Sequence, residues 1–124
     1  MRRVMIIEDN LDNRMLLRAI LDESYTVTEH ASGPEGIAAL VVDDPEIVLL
    51  DISLPGMDGV EVLRHIRADP FARNLPVIAF TAHAMSNDRE KYIAHGFDDY
   101  ITKPIVDETI LLGSMARLLD RIPA

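Results

Sequence analysis

A chain of 124 residues is one domain's worth of polypeptide, and 48% apolar residues with three Phe, three Tyr and no Trp give it an aliphatic core. The absence of cysteine excludes disulfides, thiolate metal sites and thiol catalysis, and fits a reducing cytoplasm. Twenty-one acids against twelve bases leave a net charge of −9, which repels a phosphate backbone and argues against direct nucleic-acid binding, and no apolar run approaches the roughly 18 residues of a membrane span.

The chain begins Met-Arg-Arg-Val-Met-Ile-Ile-Glu-Asp, and its apolar stretch stops at two acids after a few residues, so it is not a signal peptide. Arg2 and Arg3 read as a solvated terminus. Residues 4–7 make the first buried strand, followed by Glu8 and Asp9. Leu17, Ile20 and Leu21 recur at i, i+3, i+4 and predict a helix. Residues 25–30 alternate in polarity and suit an edge strand. Ser32-Gly-Pro-Glu35 is a capping box with proline in the first turn, and it opens a helix with a stripe of Ile37, Leu40 and Val41.

The run 47–50 is continuously apolar and ends at Asp51, as a central strand covered on both faces must be. Asp58-Gly-Val-Glu61 is a second capping box, leading into Val62, Leu63 and Ile66. Residues 77–80 repeat the central-strand pattern and end at Thr81. The segment 87–95 is mostly polar, with Tyr92 and Ile93 to anchor it, and should be the loosest helix; Gly96 closes it as a C′ residue. A short strand at 100–102 precedes Lys103, and Leu111, Met115, Leu118 and Ile122 line the last helix.

Strict strand–helix alternation predicts an α/β fold: a doubly wound, five-stranded parallel sheet with helices on both faces. Apolar runs at 4, 47 and 77 belong in the middle, and the alternating and short runs at the edges, which gives the order 2-1-3-4-5 of a flavodoxin-like three-layer sandwich. Its switch point lies between strands 1 and 3, beside Glu8, Asp9 and Asp51. Thr81 and Lys103 join them at the same carboxyl edge. Singly, each has a plain explanation: an acid pair at a helix start, an aspartate before a Pro-Gly turn, a surface lysine. Joint placement at four strand ends tells against those.

Converging carboxylates need a cation. Oxygen ligands without Cys or His fit Mg²⁺, or Mn²⁺ in its place, and an ammonium with a hydroxyl suits a phosphoryl group. A carboxylate can itself attack phosphorus, and Asp51, after the central strand, is the best placed.

Ile6-Ile-Glu-Asp-Asn10, Leu50-Asp-Ile-Ser-Leu-Pro-Gly-Met-Asp-Gly59, Phe80-Thr-Ala-His-Ala84 and Asp99-Tyr-Ile-Thr-Lys-Pro-Ile105 resemble the receiver domain of two-component response regulators over essentially the whole chain. The resemblance implies that Asp51 accepts a phosphoryl group from a histidine kinase or histidine phosphotransfer protein. It implies Mg²⁺ ligation by Glu8, Asp9, Asp51 and the backbone carbonyl of Ser53. Thr81 and Lys103 then contact phosphoryl oxygens, Tyr100 is an aromatic switch, Ser53 and His83 tune the lifetime of the phosphate, and the bond before Pro104 is commonly cis. The other histidines, His30, His65 and His95, lack metal-ligand spacing and are expected to be solvated.

The implied function is a cytoplasmic signalling switch, not a turnover enzyme, that catalyses its own phosphorylation and dephosphorylation and meets a downstream protein through helix 4, strand 5 and helix 5. The expected extent is one receiver domain over 1–124 with no output domain, as a monomer or weak dimer. Alternatives are a phosphorelay intermediate and an aspartyl-phosphate phosphatase; the latter generally wants a second acid two residues after the nucleophile, where Ser53 stands. A flavodoxin-like cofactor carrier is disfavoured because Glu8-Asp9-Asn10 repels a phosphate.

Overall fold

The computed structural model describes residues 1–82, 88–103, 105 and 107–121. Five strands alternate with five helices: β1 (Arg2–Ile7), α1 (Leu11–Leu21), β2 (Tyr25–His30), α2 (Gly33–Asp43), β3 (Ile47–Asp51), α3 (Gly59–Ala68), β4 (Val77–Thr81), α4 (Asp88–His95), β5 (Asp99–Thr102) and α5 (Glu108–Leu119). All strand pairs are parallel and the sheet order is β2-β1-β3-β4-β5, as the burial of the runs predicts. Every residue of β3 and β4 is buried, which is what lets these strands read as unbroken apolar runs.

Successive strand residues point to opposite faces, so one sheet feeds two cores. Val4, Ile6, Ile47, Leu49 and Ile78 pack with Leu17 and Leu21 of α1 and Leu111, Met115 and Leu118 of α5. Met5, Ile7, Val48 and Leu50 pack with Leu40 of α2, Val62, Leu63 and Ile66 of α3 and Tyr92 of α4. Each fully buried aliphatic side chain contributes about 1.5–3 kcal/mol relative to exposure. α4 is the exception among the helices. Its one buried side chain is Tyr92, and Ile93 is 40% exposed.

The boundary chemistry follows the sequence. Ser32 Oγ accepts the Glu35 N–H at 3.3 Å and Asp58 Oδ1 accepts the Glu61 N–H at 2.9 Å, each cap worth about 1 kcal/mol. Gly96 takes φ +110°, the left-handed conformation a C′ residue needs.

Several expectations are corrected. β3 and β4 run one residue further than the apolar runs, so Asp51 and Thr81 are the last strand residues instead of the first loop residues. β1 starts at Arg2, where its ladder with β2 begins opposite Tyr25, and Arg2 and Arg3 are not a free terminus: both pair with Glu46, and Arg3 also with Asp44. Val41 is 66% exposed and not in the core, since α2 turns its Leu40 side to the sheet. His30 is not solvated; its Nε2 lies 2.7 Å from Asp43 Oδ2, with 19% of the side chain exposed. His65 and His95 are exposed as expected. Asn87, Ile122, His83 and Pro104 lie outside the described residues.

Candidate functional site

Parallel register is what assembles the site. Ile7 pairs with Leu50, so Glu8 follows beside Asp51, and Asp51 itself pairs with Phe80, the neighbour of Thr81. Thr81 pairs with Thr102, and the Lys103 N–H donates to the Thr81 carbonyl at 2.7 Å. Four strand ends thus finish at one level. From β1 and β3 the chain leaves this edge toward opposite faces of the sheet, to α1 and α3, and the crevice between the two connections can hold polar groups.

Glu8 (1% exposed), Asp51 (3%) and Thr81 (0%) are buried, whereas Asp9 is exposed at the rim. One carboxylate oxygen from each of Glu8, Asp9 and Asp51 lies within 4.8 Å of the other two. Lys103 reaches over the Phe80 ring, its Nζ 5.0 Å from the centroid, and places its ammonium between Glu8 Oε1 and Asp51 Oδ2, the latter at 3.2 Å. Glu8 Oε1 also accepts from Asn13 Nδ2 at 2.9 Å and Oε2 from the Asn10 N–H at 3.4 Å. Asp51 Oδ1 accepts the Ser53 N–H at 3.0 Å.

The charge count decides what this cluster can hold. Three carboxylates and one ammonium leave two negative charges uncompensated, and two of the acids are shielded from water. A divalent cation brings the sum to zero. The donors are all hard oxygens, which suits Mg²⁺ and not a soft or imidazole-seeking metal. The residues therefore fit such an ion, and the Lys103 ammonium and the buried Thr81 stand at the ends of the same strands.

Of the residues expected from sequence, Glu8, Asp9, Asp51, Thr81 and Lys103 converge. Ser53 is the exposed loop residue beside Asp51. Tyr100 is half-buried in β5 and stands apart from the acids, its ring stacked on Tyr92 of α4 at 5.7 Å and 17°. Burial raises its phenol pKa above the usual value, with the charge of Asp88 adding to the effect, so it stays protonated. Residues at His83 and Pro104 are not described.

Sequence reasoning missed three supports. Asn13 fixes Glu8 from the first turn of α1, where an asparagine carries no pattern signal. Phe80 gives Lys103 an aromatic face to lie on. Gly59, read only as part of a capping box, lies so close under the site that a Cβ there would be 2.6 Å from the Asp51 carbonyl oxygen and 2.8 Å from Ile52 Cα. Backbone cannot yield there, so the position excludes a side chain.

The chain as a whole resembles known proteins. Residues 4–113 match the model of the response regulator receiver domain. The chain is 39% identical over 105 residues to the polar-differentiation response regulator DivK of Brucella ovis, covering 84% of this chain and 85% of that protein. It is 38% identical over 120 residues to the response regulator PleD of Caulobacter vibrioides, covering 96% of this chain but spanning only 26% of PleD. Among solved structures, the receiver domain of the sensor histidine kinase PA1611 of Pseudomonas aeruginosa, with a magnesium ion coordinated in its active-site cleft, superposes with a TM-score of 0.86 at 32% identity, covering 96% of this chain and 98% of that one. Among the described residues, no helix is long and apolar enough to cross a membrane.

Proposed function

Because the chain belongs to the response regulator receiver domain family, we propose that it is a phosphorylation-activated switch of a two-component pathway with Asp51 as its phosphoacceptor. The observation that carries this reading is the buried Asp51 set between a cation-requiring pair of acids and the Lys103 ammonium. Glu8, Asp9, Asp51 and the Ser53 carbonyl are the ligands for Mg²⁺, a reading supported by the magnesium in the PA1611 receiver. When bound, that ion supplies charge neutralisation for the phosphoryl oxygens.

The protein's own groups do the rest. An Asp51 carboxylate oxygen attacks phosphorus; the O–P bond forms as the P–N bond of the donor phosphohistidine breaks, and the leaving imidazole nitrogen takes a proton from solvent. Lys103 moves its charge from the carboxylates toward the new phosphate, and Thr81 donates its hydroxyl. Such catalysis is positioning and electrostatics. The donor is a histidine kinase or histidine phosphotransfer protein. Displacement of Thr81 and Lys103 is transmitted through Tyr100 to α4, whose single buried anchor suits an element with two arrangements, and a downstream protein reads the α4, β5 and α5 face. Similarity to a receiver carried by a sensor kinase supports a second use, as a relay that returns the phosphoryl group to another histidine.

Incubation with labelled acetyl phosphate and Mg²⁺ tests the reading. The wild-type chain is expected to take up label, and Asp51→Asn to take up none. Undiminished labelling of the variant would place the acceptor elsewhere.

A further inference from the structure

Among the described residues away from the acidic site, the most heavily partnered buried group is Asp99, the first residue of β5, 5% exposed. Its Oδ2 accepts from Ser114 Oγ and from Arg117 Nη2 at 2.9 Å, both on α5. Its Oδ1 accepts the Tyr100 N–H at 2.8 Å and pairs with Arg89 Nη2 of α4 at 2.9 Å. Arg89 also donates from Nη1 to the Tyr100 carbonyl at 3.3 Å. One carboxylate thus ties two helices to the strand that carries the proposed switch residue.

The two helices depend on it unequally. α5 buries Leu111, Ser114, Met115, Leu118 and Leu119, so losing Arg117 leaves it seated. α4 buries only Tyr92, which makes Arg89 a large share of what holds it to β5. Arg89 and Tyr100 also form one side of a groove of about 320 Å³ whose other walls include Ile105, Asp107 and Ile110. The position of Arg89 therefore shapes the groove on the face proposed above to meet a partner.

We propose that the Arg89–Asp99 ion pair is a latch that holds α4 on β5 in the resting arrangement and sets how readily the chain adopts the phosphorylated, partner-competent one. This rests on the switch reading of the site. A latch of this kind must be weak enough to open. Arg89 is 61% exposed, so solvent screens the pair and limits its contribution to a few-fold bias between the two arrangements. By linkage, whatever loosens the latch must tighten binding of the group that favours the open form.

The test compares Arg89→Ala with Arg117→Ala in the full chain. Both guanidiniums are more than half exposed, so both variants fold. Hydrogen exchange of peptides spanning residues 88–95, without phosphodonor, is expected to quicken about three- to five-fold in Arg89→Ala and to stay within about two-fold in Arg117→Ala. Beryllofluoride with Mg²⁺, followed by NMR amide shifts, should half-saturate Arg89→Ala at a concentration lower by the same factor. Unchanged exchange in Arg89→Ala, or equal loosening by both variants, overturns the latch. Wild-type protein that takes up no beryllofluoride overturns the phosphoacceptor reading instead, and the exchange arm still decides the latch.

Discussion

Asp51 and Asp99 are both buried aspartates in a parallel sheet, 3% and 5% exposed, and their surroundings are opposite. Asp51 ends β3 and shares one ammonium with Glu8, with Asp9 close by. Asp99 begins β5 and has two guanidiniums, a hydroxyl and a backbone N–H to itself. A buried carboxylate is costly unless it is paired, and the two solve that in contrary ways. The shortage of positive charge at Asp51 leaves a carboxylate that can gain by taking a cation or a phosphoryl group. The surplus at Asp99 leaves nothing to gain and makes a clamp. Burial is the same for both acids; the local charge balance is what separates the proposed phosphoacceptor from the structural aspartate.

The comparison breaks most sharply at Asp99. Asp99→Ala strands the buried Ser114 hydroxyl and the Tyr100 N–H, and a loss of about 2–3 kcal/mol in chemical denaturation at neutral pH is expected. Its pH dependence has a definite sign. Burial works to raise the Asp99 pKa, but the Ser114 hydroxyl, the Tyr100 N–H, Arg89 and Arg117 outweigh it and hold the carboxyl below its ordinary value. A depressed folded-state pKa means stability that is fully present above the ordinary value, about 4, and is lost as pH falls through the folded one. The gap between wild type and Asp99→Ala should be constant from about pH 7 to 5 and narrow by about pH 3. A gap that widens in acid would mean the carboxyl is held neutral.

Next in size is the rim of the other site. Asp9 is exposed, so Asp9→Asn disturbs no core, yet it removes a full charge from the three-acid cluster. Mg²⁺ affinity measured by calorimetric titration should fall about tenfold, with denaturation unchanged in metal-free buffer. Equal affinity in both proteins would remove Asp9 from the ligand set and weaken the charge argument for the whole cluster.

These two carboxylates also mark how far the sequence can be read. Central strands announce themselves as unbroken aliphatic runs, and a polar residue that ends such a run must lie at the sheet's edge, so Glu8, Asp51, Thr81 and Lys103 were legible before any coordinate. Two of them prove to be the last residues of their strands, because a ladder can continue under a polar side chain. Asp99 gave no such signal. It stands beside Asp98 as one of two acids before a short strand, and its partners Arg89, Ser114 and Arg117 come from two helices whose charges look like ordinary solvated faces. The pairing of His30 with Asp43 was hidden for the same reason. Periodicity reports which face of an element is apolar and says nothing about which distant charge a polar side chain will meet.

The smallest effect is the one most specific to the comparison. In magnesium-free buffer, Asp51→Asn keeps an oxygen to accept the Ser53 N–H and leaves Lys103 to serve Glu8 alone, while removing one of three mutually repelling acids. The variant should therefore be more stable than wild type by about 0.5–1 kcal/mol, the opposite sign to the loss at Asp99. Adding Mg²⁺ should erase or reverse the difference, because the wild-type cluster gains more from the ion than the variant can. Thermal denaturation of both proteins with and without the metal measures this. If Asp51→Asn is instead destabilised in metal-free buffer as much as the Asp99 variant, then Asp51 is as well compensated as Asp99, and the shortage of charge on which its proposed role rests does not exist.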